Sequence, residues 1–207
     1  MIISFEGLDG CGKSTQIKKL QVYLESLGKK VKILREPGGN SISEKIRDIL
    51  LDKKNLNMVY ETELLLYLSS RAQLIKEEVL PLLESDHIVL LDRFIDSTTA
   101  YQGYGRGLDI DLIDNLNRFV TINGKYLPEI TFFFDLDPKA SLNRVTTRGE
   151  EINRMEAVKF EFFEKAHKGF HIIQQKNPER IIKIDGSLEP DEVFESLKTE
   201  MEKRIKI

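Results

Sequence analysis

The sequence predicts an α/β fold in three layers, a five-stranded parallel sheet with helices on both faces. Three observations lead there. Short apolar runs alternate with longer stretches of helical periodicity, the pattern of successive βαβ units. Residues 88–91 and 130–134 are apolar on both faces, as strands buried inside a parallel sheet are. A length of 207 residues with 41% apolar and 31% charged side chains suits a single domain spanning 1–207 with a real core.

The elements follow in order. Ile2-Ile3-Ser4-Phe5 is the first strand, ending at Gly7. Over 13–27, Ile17, Leu20, Leu24 and Leu27 recur at helical spacing until Gly28 stops the helix. A second strand over 31–34 is closed by Glu36-Pro37-Gly38-Gly39, a strong turn signal. The helix over 41–51 has Ser41 and Glu44 spaced as a capping box. Residues 61–83 read as one helical region with Pro81 near its end, and the strand over 88–91 stops at Asp92-Arg93. A helix over 109–120 precedes the strand over 130–134, which ends at Asp135. Residues 138–147 are helical, and a charged stretch from Arg148 to Arg154 follows. A helix over 155–175, a strand over 181–184 and a helix over 190–205 complete the series, with the basic tail read as a solvated helix end. Ligands of such sheets bind at the carboxyl ends of the strands, here Gly7, Arg35, Asp92 and Asp135.

Composition narrows the function. Lys and Arg number 31 against 34 Asp and Glu, a net charge of −3, which argues against nucleic-acid and anionic-membrane partners. The single cysteine, Cys11, excludes an intrachain disulfide framework and a Cys-rich zinc site, and fits a reducing cytoplasm. The apolar runs are too short to cross a bilayer, and the N-terminus lacks the basic region of a secretory signal.

The chemistry begins at Gly7-Leu8-Asp9-Gly10-Cys11-Gly12-Lys13-Ser14, followed by Thr15. It matches the phosphate-binding pattern G-x-x-x-x-G-K-[ST] between a strand and a helix. Glycines let successive N–H groups face one anion, and the helix dipole adds positive potential. Residues 7–15 are therefore the expected ATP site of a P-loop NTPase fold, with Lys13 on the β- and γ-phosphates and Ser14 on Mg²⁺. The acid that completes the metal site is Asp92 or Asp135; Asp92 fits better because Arg93 follows it, and a capping role suits Asp135. A GTPase switch would carry N/T-K-x-D and an Asp-x-x-Gly after the metal strand, and neither occurs. A small phosphotransferase with two anionic substrates remains. Arg35, Arg71, Arg93, Arg148 and Arg154 are the cations available to offset repulsion between them. A phosphate acceptor is already largely ionised near neutral pH, so a general base is not required.

The sequence resembles the thymidylate kinases almost end to end. The resemblance rests on Phe5-Glu6-Gly7-Leu8-Asp9-Gly10, Arg35-Glu36-Pro37-Gly38-Gly39, Ser70-Arg71, Asp92-Arg93-Phe94, Ala100-Tyr101-Gln102-Gly103 and Asn153-Arg154-Met155-Glu156. It implies Mg²⁺-dependent in-line transfer of the ATP γ-phosphoryl to dTMP in dTTP biosynthesis, and a homodimer. The same architecture acting on another nucleoside monophosphate or a deoxynucleoside is the alternative. The resemblance sets Asp9 near the sugar 3′-hydroxyl and the metal, and Arg35 and Arg93 on the acceptor phosphate. Tyr67 takes the place of the aromatic that stacks on thymine, although packing in its Leu-rich helix explains it equally well. Arg71 would donate to thymine O4, Thr98 would lie near the base edge, and Tyr101 would crowd a ribose 2′-hydroxyl. Gln102 would line the sugar and base or sit in an exposed turn. Some members carry Arg where this chain has Gly10. Here the extra catalytic cation is expected from a small lid over 146–156, from Arg154 or Arg148. Cys11 reads as packing, not as a reactive thiol.

Overall fold

The computed structural model describes residues 1–147, 153–156 and 160–204. The chain runs β1 (Ile2–Glu6), α1 (Lys13–Ser26), β2 (Lys30–Arg35), α2 (Ser41–Leu51), α3 (Tyr60–Leu74), α4 (Leu80–Glu84), β3 (His87–Asp92), α5 (Ile95–Thr98), α6 (Ile110–Val120), β4 (Ile130–Asp135), α7 (Pro138–Thr147), α8 (Phe160–Lys176), β5 (Ile181–Asp185) and α9 (Pro190–Arg204). The five strands are parallel in the order β2-β3-β1-β4-β5, so the phosphate loop after β1 leaves the centre of the sheet.

Strand alternation divides the core. Ile3, Phe5, Leu90, Phe132 and Phe134 face α1 and α9 and meet Leu20, Leu24 and Leu197. On the other face, Val89 and Leu91 pack on Leu74, Ile75 and Val79, while Phe133 packs on Phe170 of α8. Polar groups also enter this second face. Arg180 grips Asp96 through two 2.7 Å hydrogen bonds and also donates to Thr131, whose hydroxyl meets Ser4.

Four local readings need correction. The N-cap of α2 is Asn40, whose Oδ1 accepts from the Ser43 N–H at 2.9 Å. Glu44 turns away to the Gly39 N–H and Arg35, so the Ser41–Glu44 capping box does not form. The helix expected over 61–83 is α3 joined through a π-helical turn, Ile75–Val79, to α4. Pro81 sits in the first turn of α4, directly after that π-helical turn. Residues 95–105, to which the sequence reading assigns no element, form α5 and a second π-helical segment, Thr99–Gly105. Residues 153–156 form a turn before α8, not the start of a helix. Among the described residues, no helix is long and apolar enough to cross a membrane.

Candidate active site

The phosphate loop is built by backbone. Gly7 has φ +136°, and a Cβ there would lie 2.5 Å from the Phe134 carbonyl of the neighbouring strand. Gly10 has φ +77°, and its Cβ would press on Arg144 Cβ and Ser141 O, both at 3.1 Å. An Arg at position 10 is thereby disfavoured in this chain. Arg144, on α7, occupies the neighbouring space and donates to the Gly10 and Gly186 carbonyls. Lys13 Nζ folds over the loop onto the carbonyls of Gly7 (3.2 Å) and Leu8 (2.8 Å), with Cys11 Sγ at 3.5 Å. Cys11 is buried in the core, as its packing reading requires. Ser14 Oγ donates to Asp92 Oδ2 at 3.3 Å. Asp135, the competing acid, instead holds His167 and His171, so neither a metal role beside Ser14 nor a turn-capping role describes its side chain.

Two cavities flank this loop. The phosphate cavity is lined by the loop residues from Asp9 to Thr15 except Cys11, with Arg35, Glu36, Arg47, Asp92, Arg93 and Arg144. The second cavity is deeper and includes Tyr67, Arg71, Phe94, Thr98, Tyr101, Gln102, Asn153 and Met155 in its wall. Asp9, Glu36, Arg47 and Arg93 belong to both. Arg93 is fixed at this seam: it donates to Gly7 O (2.8 Å), Ser97 Oγ (3.0 Å) and Asp9 Oδ1 (2.7 Å). Its backbone holds φ +70°, a conformation that costs a non-glycine residue about 1–3 kcal/mol. Arg35 stays at the rim, 55% exposed, with its guanidinium on Glu44 at 2.9 Å.

The deeper cavity is held by buried ion pairs. Arg71 donates from Nε and Nη2 to Glu36 Oε2 (2.8 and 2.6 Å), from Nη1 to Asn117 Oδ1 and from Nη2 to Thr98 Oγ1. Its guanidinium also lies over the Phe94 ring. A guanidinium has five N–H groups, so one on Nη1 remains beyond these four bonds. Burial pushes the Glu36 carboxyl up, against the pull of Arg71, and its buried Oε1 has no hydrogen-bond partner among the described residues. The Tyr101 hydroxyl is likewise buried without a hydrogen-bond partner among the described residues, and Arg93 lies over its ring. Two unsatisfied polar atoms in one cavity wall mark it as a place for a polar ligand.

Glu63 lies buried behind the wall and organises it through Gln102. It accepts from Gln102 Nε2 (3.0 Å) and from Arg106 (3.1 and 3.0 Å), and pairs with Arg154 at 2.8 Å. Burial pushes its carboxyl up, but these hydrogen bonds and charges outweigh burial and hold it below the usual range. Gln102 is therefore a buried wall residue, not an exposed turn. Arg154 is also drawn in: its backbone N–H donates to Leu51 O and its Nε to Leu50 O at 2.6 Å. In this structure it pins the 153–156 turn to α2 and α3 and does not line the phosphate cavity. Arg148 lies outside the described residues, as does much of the expected lid.

Sequence reasoning missed Glu36 as a site residue, although its motif was in view, and missed Arg47, Arg144, Glu63 and Asn117. Asn117 left a readable signal: it falls one helical turn after Ile113 on the buried face of α6. Arg47 and Arg144 left none, since each is an ordinary helix arginine until the fold brings it to the loop.

The thymidylate kinase family model matches residues 5–197. The thymidylate kinase of Chlorobaculum tepidum is 45% identical over 205 residues, covering 95% of this chain and 94% of its own. That of Thermoanaerobacter sp. is 46% identical over 187 residues, with 90% of each chain covered. The crystal structure of thymidylate kinase from Ehrlichia chaffeensis superposes with a TM-score of 0.78 at 35% identity, covering 98% of both chains. The phosphate loop, the deeper cavity and these matches agree: the chain belongs to the thymidylate kinase family.

Proposed function

We propose that the phosphate cavity takes ATP, the deeper cavity takes dTMP, and the phosphoryl group crosses at Asp9 and Arg93. The family reaction is the phosphorylation of dTMP to dTDP with ATP as donor; the proposal assigns its steps to residues. The carrying observation is the shared seam: Arg93 lines both cavities while bound to the phosphate loop through Gly7 O and Asp9.

Lys13 and the loop N–H groups hold the donor phosphates once Lys13 exchanges its carbonyl partners for phosphate oxygens. Arg35, turning from Glu44, and Arg93 bind the acceptor phosphate, and Arg144 adds charge on the far side of the loop. The remaining Arg71 N–H donates to thymine O4. Cytosine presents an amino donor there, which would leave two donors facing each other in a buried site. Tyr67 stacks on the base, Thr98 holds Arg71 in place, and Tyr101 bounds the sugar with Gln102 behind it. Ser14 and Asp92 offer the oxygen donors that a hard cation prefers, which fits Mg²⁺. When bound, the ion offsets charge on the phosphates. The acceptor attacks in line and needs only to be aligned and shielded from water.

The reading extends to assembly. α3 and α6 pack together and leave Leu65 (55%), Leu112 (52%) and Phe119 (73%) exposed, which supports a homodimer through this face. The lone free thiol suits a reducing cytoplasm. The function is tested by ADP release with ATP and dTMP, dUMP, dCMP, AMP or GMP. dTMP is expected to lead. Preference for dCMP or AMP overturns the acceptor assignment, and slow hydrolysis indifferent to acceptor would favour a nucleotide switch.

A further inference from the structure

We propose that Asp135, His167 and His171 form a binding site for one divalent transition-metal ion of the zinc type, separate from the nucleotide cavities. His167 and His171 are one turn apart on α8 and present their Nε2 atoms together. Both aim at the same oxygen at the end of β4: Asp135 Oδ1 lies 2.7 Å from His167 Nε2 and 3.0 Å from His171 Nε2. The two nitrogens are 3.3 Å apart. All three donor atoms therefore converge on one point, and none of the three residues lines either cavity.

Hydrogen bonding alone serves this arrangement poorly. If both Nε2 atoms carry protons, two N–H groups crowd each other at 3.3 Å. If one is bare, its lone pair faces the carboxylate oxygen. A cation among them uses all three lone pairs at once. Zinc binds imidazole nitrogen and carboxylate oxygen at about 2.0–2.2 Å, so tetrahedral donors stand about 3.3 Å apart. The nitrogens already have that spacing, and Asp135 Oδ1 need retreat about 0.6 Å from His167 and about 0.3 Å from His171.

The surroundings suit an ion as well. His167, His171 and Asp135 have side chains 20%, 31% and 23% exposed, which leaves an entry path and room for water as a further ligand. Phe133 packs edge-on against His171 and restrains its ring. Asp185 stands beside Asp135 in register and adds negative potential. Lys183 opposes the ion, at 3.7 Å from Asp135 Oδ2, but it engages the other oxygen and is half exposed. Two imidazoles and one carboxylate favour Zn²⁺, Co²⁺ or Ni²⁺ over Mg²⁺. Bound there, an ion would tie α8 to the strand end whose Asp135 carbonyl already accepts from Gly186 beside the phosphate loop.

The test uses the full chain without a His tag or nucleotide. Co²⁺ is titrated by its visible absorption, and Zn²⁺ is measured by equilibrium dialysis with elemental analysis. One ion per chain is expected, with thermal stabilisation on binding. His167→Gln, His171→Gln and Asp135→Asn should each weaken binding by about tenfold or more. They should also abolish the thermal shift while keeping dTMP kinase turnover as evidence of folding. His87→Gln and Asp92→Asn should leave the Co²⁺ spectrum unchanged, which separates this site from the third histidine and the Ser14–Asp92 pair. No stoichiometric ion, or binding insensitive to the α8 histidines, overturns the proposal.

Discussion

The two cavities are built by different means. The phosphate cavity is mainly backbone and exposed cations: glycines at positive φ, loop N–H groups, and Arg35 and Arg144 at its rim. The deeper cavity, proposed for dTMP, rests on buried charge: Arg71 pairs with Glu36 in its wall, and Arg106 and Arg154 pair with Glu63 behind Gln102 and Met155. A backbone anion site serves any nucleoside triphosphate, because it reads phosphate alone. A rigid cavity of paired charges reads a base edge, because a wrong partner leaves buried groups unsatisfied. On the proposed assignment of dTMP to it, the second cavity is where selectivity resides.

Mutations can break this contrast. The largest effect is expected for Lys13→Ala, which should lower turnover by about 10²–10³-fold with the fold and dTMP affinity kept. Steady-state kinetics with a thermal melt check it. Next is Arg71→Gln. It leaves Glu36 buried beside a neutral partner and should destabilise the protein by about 3–5 kcal/mol while raising KM for dTMP. A destabilised enzyme with an unchanged KM for dTMP would make Arg71 purely structural.

Arg154→Ala sharpens the boundary between the cavities. Glu63 keeps Arg106, so the stability loss should be about 1.5–3 kcal/mol. KM for dTMP should rise, because Asn153 and Met155 lose their anchor. A fall in kcat with unchanged KM would restore Arg154 to the lid-cation role.

The smallest effect concerns pH. Burial beneath the seam, with Asp96 nearby, raises the Glu6 carboxyl to about 7, against the opposing hydrogen bond from Ser97 and charge of Arg93. A carboxyl raised in the folded state contributes stability that is complete below its ordinary value of about 4.5. That contribution is lost as pH rises through about 7. Glu6→Gln should flatten the Tm profile across that window.

How far the sequence could be read follows the same division. The phosphate loop lies within nine residues, Gly7 to Thr15, so its pattern is local and complete. The parallel sheet was equally plain, since residues 88–91 and 130–134 carry its signal in their own composition. The deeper cavity depends on partners far apart: Arg71 meets Glu36 across 35 residues and Asn117 across 46. No spacing rule reveals such a pair. Residues 95–105 received no element in the sequence reading for another reason. Thr, Gly and Gln without apolar periodicity resemble a loop, yet packing against α8 winds them into helix. Arg154 was placed on the lid by resemblance, and only the fold reveals Glu63 waiting on α3.

The division of labour is tested most directly by calorimetric titration of two variants, Lys13→Ala and Arg71→Lys, each with dTMP and with a non-hydrolysable ATP analogue. A crossed pattern is expected: Lys13→Ala loses the ATP analogue and keeps dTMP, and Arg71→Lys does the reverse. If either variant loses both ligands equally while remaining folded, the cavities do not act as separate sites.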